Sequence, residues 1–482
     1  METPTSSEAS RIEKMRRIEE LGIDPWGHRL DDRMPIGEIL ELPTDQEERP
    51  KVRATGRIRL RRVKGKIHFI DIWDWTGQVQ VMIGQKQVGE EGWALAENFD
   101  LGDLIAVEGE YGLTKVGERT IFAKKLYFMA KSLKEHPEKY HGMQDIETRL
   151  RQRYLDLVYT PETLERATKR VKIVRHIRSH LEKLGYFEVE TPTLHAIAGG
   201  AAARPFTTHH NALDIELYLR IALELHLKRL LVGGIEKVYE IGRVFRNEGI
   251  SHKHNPEFTM LELYEAYGDY RSMMDLTEGL VVSIIEMLGE GHKLQYTDAT
   301  IDFSPPWQRA TYAELFEQHV GVAMDDIDGL HKVAAEMDFP TEGKDTDVVI
   351  HHLFEEKVED QLMGPVFVHD YPAALCPLTK RKRDNPKIAE RFELYVHGME
   401  LANAYTELND PVTQEQTFRQ QLAGLPEEDS MAKMDDDFVL ALRHGMPPAG
   451  GLGIGIDRLV MLLTNTQTIR DVILFPLLRP EK

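Results

Sequence analysis

The chain has 482 residues, 41% hydrophobic and 29% charged, an ordinary globular composition with length for two or three domains. Its formal net charge of −20 opposes a polyanion in bulk, so any nucleic-acid partner must be met by local basic patches. One cysteine, Cys376, excludes an intrachain disulfide or cysteine-based zinc centre, and neither a bilayer-spanning apolar run nor a secretion-signal layout is present, which points to a cytoplasmic protein with no membrane partner.

Residues 1–50 read as an N-terminal helical extension. Positions 12–23 have helical spacing, with Met15, Ile18 and Leu21 on one side and Arg11, Lys14, Arg16 and Arg17 on the other. The pattern predicts a solvated helix; the alternative is a basic helix near RNA phosphates. Residues 51–135 alternate as short strands at 52–60, 67–73, 78–83, 104–110 and 119–126, with a helical piece at 90–98 between the third and fourth. Five strands with a helix there is the order of an OB-fold β-barrel, whose strand 2–3 face takes single-stranded nucleic acid on aromatic side chains. Phe69 and Gln80 fit that face, and Arg61 stands in the basic turn before it. Phe69 reads equally well as core. Trp73 and Trp75 are core or added stacking surface. Residues 136–160 read as a linker.

Residues 161–482 carry the chemistry. Thr160-Pro161 starts a long amphipathic helix that Gly185 ends. Two alternating runs, 237–246 and 258–264, flank a loop at 249–257. Paired antiparallel, they put Arg246, Glu248, Glu262 and Tyr264 on one surface. The loop holds His254, Asn255 and Pro256, and long ordered loops are usually functional.

Further on, His397-Gly398 suits a two-residue hairpin turn. That register pairs Val396 with Met399, Tyr395 with Glu400 and Glu393 with Ala402. It makes Glu393 and Glu400 diagonal neighbours on one face. Two carboxylates so close repel unless a cation lies between them, and magnesium suits oxygen ligands and bridges phosphates. The bland alternative is two solvent-facing glutamates. Asn403 and Glu407 fall on the other face, so a shared site requires a bulge between Glu400 and Asn403. Near the end, Gly451, Gly453 and Gly455 leave one strand face bare for a flat ligand, and Arg458 opens the next helix, where phosphate is favoured. No P-loop or dinucleotide fingerprint accompanies them.

The wording Phe245-Arg246-Asn247-Glu248-Gly249, then His254-Asn255-Pro256-Glu257-Phe258, resembles motif 2 of the class II aminoacyl-tRNA synthetases, closest to the lysyl branch of subclass IIb. The helix–strand–Pro192 unit resembles motif 1, and 450–461 resembles motif 3. The likeness runs from about residue 50 to the end. It implies an α/β (α+β) protein: an OB-fold anticodon-binding domain at 51–135, a linker at 136–160, and a class II catalytic domain at 161–482 on a mostly antiparallel sheet flanked by helices. The implied partners are ATP, L-lysine, tRNA(Lys) and a second copy in a homodimer. The implied reaction forms lysyl-adenylate and transfers lysine to the 3′ end of the tRNA.

The resemblance also implies roles. Arg246 and Arg458 are catalytic, on the α- and γ-phosphates. Glu248, His254, Asn255, Phe258 and Glu393 hold ATP, with Phe258 stacked on adenine. Glu393 and Glu400 hold magnesium. Gly200, Glu224, Glu262, Tyr264, Asn403 and Glu407 bind lysine, and Phe69, Gln80 and Arg61 meet the anticodon. Two departures stand out: Leu223 where the family commonly has Pro, expected to shift the loop carrying Glu224, and Gly450 for a commoner Ala, expected to loosen the pocket. Aspartyl or asparaginyl relatives, a protein-lysylating relative and a non-charging RNA-binding regulator are the rivals. Glu224, Glu262 and Glu407 suit a doubly cationic amino acid better than aspartate.

Overall fold

The computed structural model describes residues 5–135, 143, 145–201, 203–376, 378–423 and 435–481. They form two compact units that divide between residues 144 and 145. The first holds helices α1 (Ser6–Glu20), α2 (Ile36–Leu40) and α3 (Gln85–Glu97) and strands β1 (Lys51–Lys64), β2 (Ile67–Trp73), β3 (Gln78–Gly84), β4 (Leu104–Leu113) and β5 (Arg119–Ala130). The strands close a barrel in the order β1-β2-β3-β5-β4. Period 2 sorts the faces: His68, Ile70, Ile72, Val79, Val81 and Ile83 are buried inside, while Phe69 and Trp73 alternate outward and stay half-buried.

The N-terminal extension is not a solvated helix. Ile18 is fully buried and joins Ile36 and Ile39 in the barrel's own core. Arg11 donates to the Leu101 and Ser132 carbonyls, and Lys14 pairs with Asp100. Two of the basic side chains that might have met phosphate are therefore spent on the barrel. The helix starts earlier than the apolar spacing predicts because Thr5 and Glu8 cap each other's backbone N–H groups.

The second unit contains α4 (Ile146–Arg151), α5 (Arg153–Tyr159), α6 (Pro161–Lys183), α7 (Glu224–Val232), α8 (Tyr270–Leu288), α9 (Tyr312–Val320), α10 (Ile327–Glu336), α11 (Thr346–Lys357), α12 (Pro411–Ala423), α13 (Asp436–Arg443), α14 (Ile456–Leu463) and α15 (Ile469–Val472). The expected linker is thus helical from Ile146 onward. Arg153 is fully buried and ties it to the unit through Asp156 and the Arg470 and Leu474 carbonyls. Residues 136–142 and 144 of that linker lie outside the described residues.

Strands β6 (Phe187–Glu188), β7 (Leu194–His195), β8 (Thr207–His210), β9 (Ile215–Leu219), β10 (Lys237–Phe245), β11 (Glu257–Ala266), β12 (Lys293–Tyr296), β13 (Ala299–Asp302), β14 (Gln308–Thr311), β15 (Val366–Pro372), β16 (Ile388–Val396), β17 (Met399–Thr406) and β18 (Ala449–Gly455) complete the unit. Eight of them form one sheet in the order β14-β15-β16-β17-β18-β11-β10-β6. Only the β14–β15 and β10–β6 pairs in it are parallel, so the sheet is mostly antiparallel, as expected. One face packs on α6, α8 and α14 through Ile177, Leu280, Ile284, Leu452, Ile454 and Leu459. The opposite face carries the polar side chains.

Candidate active site

The register places the glycine strand between two polar ones. On β11, Glu262 lies opposite Gly453 and Tyr264 opposite Gly451. On β17, Asn403 lies opposite the same Gly453 and Tyr405 opposite the same Gly451. A Cβ on Gly451 would come within 1.9 Å of a Glu407 oxygen and 2.6 Å of the Tyr264 ring, so only glycine leaves room for that carboxylate. Gly450 points the other way. A Cβ there would meet the Asp269 carbonyl at 2.9 Å, so this glycine touches the start of α8 and does not loosen the pocket.

The β16–β17 hairpin corrects the simple register. Val396 pairs with Met399 and Tyr395 with Glu400, as expected, but Glu393 then pairs with Asn403 and not with Ala402. Leu401 is the extra residue of a bulge, and it is buried in the core beside Met399, Ala402 and Ala404. The bulge brings Glu400 onto the same face as Asn403, Tyr405 and Glu407. The Asn403 amide donates to Glu400 at 3.1 Å.

A cleft gathers Arg246, Glu248, His254, Asn255, Phe258, Glu400, Asn403 and Arg458 beside Gly453 and Gly455. The motif-2 loop spans 246–256, because Phe245 and Glu257 still pair. The Arg246 N–H closes it onto the Pro256 carbonyl at 2.8 Å, and its guanidinium lies 5.2 Å over the Phe258 ring. Arg458 donates to His254 Nε2 at 3.1 Å and to the Glu400 carbonyl at 2.8 Å. That donation leaves the His254 proton on Nδ1, facing Ser251 Oγ at 2.8 Å. Burial and the Arg458 charge lower the His254 pKa, so the ring is neutral. Asn255 is buried with its amide nitrogen on the Glu257 carbonyl and its Oδ1 unpartnered, an acceptor available to a ligand.

Glu393 lies deeper than sequence spacing suggests. It is buried and contacts Arg391, and the Tyr371 and Tyr395 hydroxyls donate to it at 2.8 and 2.6 Å. Burial alone would raise its pKa, but Arg391 and the two hydroxyls hold it below the usual carboxylate range. The Tyr395 hydroxyl also lies 2.8 Å from Glu359, which burial and the nearby Glu393, Glu355 and Glu400 push up to about 7. One O–H serves one carboxylate at a time, and of the two it is Glu359 whose proton affinity is raised. Among the described residues, no group of three or more His, Cys, Asp or Glu is placed to hold a metal ion by itself.

The remaining expected residues meet at a second site, buried except for the half-buried Gly200. Glu224 begins α7, and Gly200, at φ +87°, approaches it closely. The Glu262 carboxylate accepts the Leu223 N–H at 3.1 Å. Proline at 223 could not make that bond, so this departure supplies a donor to Glu262. Burial, then the Glu224 charge, push Glu262 up to about 7; the Leu223 N–H, Arg246 and the Tyr264 hydroxyl pull against them. Burial pushes Glu407 up to about 8.

Sequence reasoning missed Lys228. Its ammonium is buried between Glu224, at 2.5 Å, and Glu407. Burial works to discharge it, but the two carboxylates together hold it above the usual lysine value. Lys228 keeps its proton, and the misfit falls on Glu407, neither of whose oxygens takes a well-aligned hydrogen bond. The available signal was α7 itself: Leu223, Leu225, Leu227, Leu230 and Leu231 surround Lys228 and leave it little solvent face.

The first unit carries the other expected group. Phe69 shares the outer face with Met82, its cross-strand partner. Arg59 stacks on Trp73, 3.6 Å from the ring centroid, and Trp75 is exposed. Gln80 is buried and accepts from the Thr120 hydroxyl at 3.1 Å. Arg61 is not free at this face. It donates to the Ala96, Glu97 and Phe99 carbonyls and caps the end of α3.

Comparison with known proteins follows the same division. Residues 145–479 match the family model for tRNA synthetases class II (D, K and N), and residues 52–128 match that for the OB-fold nucleic acid binding domain. The chain is 48% identical to a lysine–tRNA ligase of Bacillus cereus (strain AH187), over 97% of this chain and 96% of the relative. It is likewise 49% identical to that of Pelotomaculum thermopropionicum, over 98% and 94%.

Proposed function

Because the chain belongs to the class II tRNA synthetases and, within them, to the lysine–tRNA ligases, we infer that it activates lysine with ATP and ligates it to tRNA. The observation that carries the choice of lysine is the charge of the buried pocket. Glu224, Glu262 and Glu407 crowd together, and one resident ammonium, Lys228, pairs with Glu224 and Glu407. An aspartate side chain would add negative charge to that surplus, whereas lysine brings two ammonium groups. Glu407, without a well-aligned partner, takes the ε-ammonium beside Tyr264. Glu224 takes the α-ammonium, Glu262 and Gly200 frame it, and Asn403 closes the side.

ATP lies in the adjoining cleft. Phe258 stacks on adenine, with Glu248, His254 and the Asn255 Oδ1 around the nucleoside. Arg246 neutralises the α-phosphate and lysine carboxylate where negative charge builds during attack, and Arg458 holds the γ-phosphate. No side-chain nucleophile is needed; positioning and charge stabilisation suffice.

The residues fit magnesium. Glu400 faces the cleft and Glu393 keeps its charge, while Glu359 carries the strain of three crowded carboxylates that a cation relieves. Glu393 and Glu400 would hold the ion, and it would offset phosphate charge.

Phe69 stacks on an anticodon base of tRNA(Lys), with Gln80 beside it, while Arg61 contributes through its hold on α3. Val171, Leu184, Phe187 and Leu194 are exposed apolar side chains on α6 and the strands after it, and they support a homodimer. No described helix is long and apolar enough to cross a membrane. The cytoplasm, where tRNA is charged, is the proposed compartment. ATP–pyrophosphate exchange across the amino acids, followed by charging of tRNA(Lys), tests the reading. Lysine alone is expected to support exchange, and exchange with aspartate or asparagine in its place would overturn it.

A further inference from the structure

Glu224 and Glu407, the two carboxylates assigned above to the two ammonium groups of the substrate, are already bridged by an ammonium of the protein. Lys228 Nζ lies 2.5 Å from Glu224 Oε1 and touches Glu407 Oε2, with its side chain 1% exposed. It also lies 5.9 Å from the centre of the Tyr264 ring, on the floor of the same pocket. Among the described residues, these carboxylates form no other ion pair.

We propose that Lys228 is a positioning residue and the resident counter-ion of the substrate pocket: it holds Glu224 and Glu407 in place and leaves two uncompensated carboxylates for the two ammonium groups of lysine. The proposal rests on the lysine reading given above. The count is simple. Once lysine is bound and Glu262 and Glu407 have released their protons, three carboxylates and one resident ammonium leave two negative charges, matched by the α- and ε-ammonium groups. Without Lys228 the pocket holds three carboxylates, which cannot all ionise in a dry space, and a proton must take the missing place.

The groups facing Lys228 come from three elements. Glu224 on α7 and Glu407 just after β17 contact it and the Tyr264 ring on β11 lies near it, while Glu262 on β11 and Tyr405 on β17 act on those two carboxylates. Arg246 and Arg391 act on this set from its edge. Removing the ammonium raises the carboxylate pKa values further, so the defect depends on pH in a way that a packing defect does not.

The test uses Lys228→Met, which keeps the stem and removes the charge, and Lys228→Ala, which leaves a cavity for a soluble cation. In ATP–pyrophosphate exchange, Lys228→Met is expected to raise the KM for lysine at least tenfold at pH 7, with less change in the KM for ATP. The increase should shrink by pH 9 as the carboxylates ionise. n-Propylammonium should compete with lysine in the unmodified protein but restore activity to Lys228→Ala. A lysine KM unchanged from pH 7 to 9, or an equal pH-independent loss in both variants with no rescue, would overturn the proposal. If the unmodified protein shows no lysine-dependent exchange, the substrate reading falls by itself. The melting midpoint then decides: n-propylammonium must raise it more in Lys228→Ala than in the unmodified protein, and failure to do so overturns the counter-ion. A variant that does not fold alone but folds with n-propylammonium supports it, and one that stays unfolded with the cation counts against it.

Discussion

The outer face of the barrel and the buried acidic pocket are two candidate binding surfaces built on opposite terms. The barrel offers half-exposed rings, Phe69 and Trp73, with neighbouring polar groups already engaged: Gln80 with Thr120, Arg61 with the end of α3. The pocket offers carboxylates left short of partners, with Glu262 and Glu407 pushed up to about 7 and about 8. A stacking surface gains affinity from area and tolerates loss of one ring. A charged pocket gains it from matching, and a mismatch leaves an ion buried without a partner.

Breaking the match should produce the largest effect. Removing one partner of a buried pair costs about 3–5 kcal/mol, or roughly two to four decades in rate. Glu407→Gln should lower lysine-dependent exchange by that order while ATP binding, followed by equilibrium dialysis, persists. Norleucine should be rejected by the unmodified protein; its activation at the rate of lysine would remove Glu407 from the ε-ammonium.

Leu223→Pro deletes a single N–H donor to Glu262 and should cost about 1.5–3 kcal/mol in lysine kcat/KM, the range for hydrogen bonds to charged groups. An unchanged kcat/KM would show that the Leu223 bond is idle. On the barrel, Phe69→Ala should weaken tRNA charging by about 1–3 kcal/mol and leave exchange intact. Equal losses in both assays would make Phe69 a structural ring.

The smallest effect sharpens the contrast by pH. In the empty pocket, Glu262 and Glu407 hold protons below about 7 and about 8 and must release them to meet ammonium groups. Lysine affinity should therefore rise with pH up to about 8, by at most about tenfold per unit for each proton released. Calorimetry in buffers of different ionisation enthalpy measures that release. The unliganded protein moves the other way: a carboxyl group raised by folding gives stability that is lost as pH climbs through its folded value. tRNA binding to the barrel should show no comparable slope.

The two regions also differ in how far the chain announced them. The barrel strands and the bare glycine face follow from period 2, which needs only neighbours in sequence, whereas period 2 alone left Phe69 open between outer face and core. The bulge at Leu401 did not follow from the turn, although the need for one was visible in the odd spacing between Glu400 and Glu407. Arg61 misled because its carbonyl partners lie 35–38 residues away on α3. Lys228 is hard to single out in the sequence because Glu and Lys four residues apart on a helix usually make a surface pair of little value. Only the packing of β10, β11 and α13 against α7 reveals that this pair is interior.

The unpaired Leu401 has a consequence for how the strand can change. Glu400 and Glu407 are separated by an odd number of steps yet point the same way, so the strand works as a parity counter with one deliberate miscount. Deleting Leu401 would remove the miscount and keep Glu400 and the Asn403–Glu407 group on one face of a regular ladder, whereas deleting a residue between Asn403 and Glu407 would turn part of that group into the hydrophobic layer. Substitutions along this strand can drift; away from Leu401 its length cannot, and an insertion or deletion there would be tolerated only with a second one that restores the count.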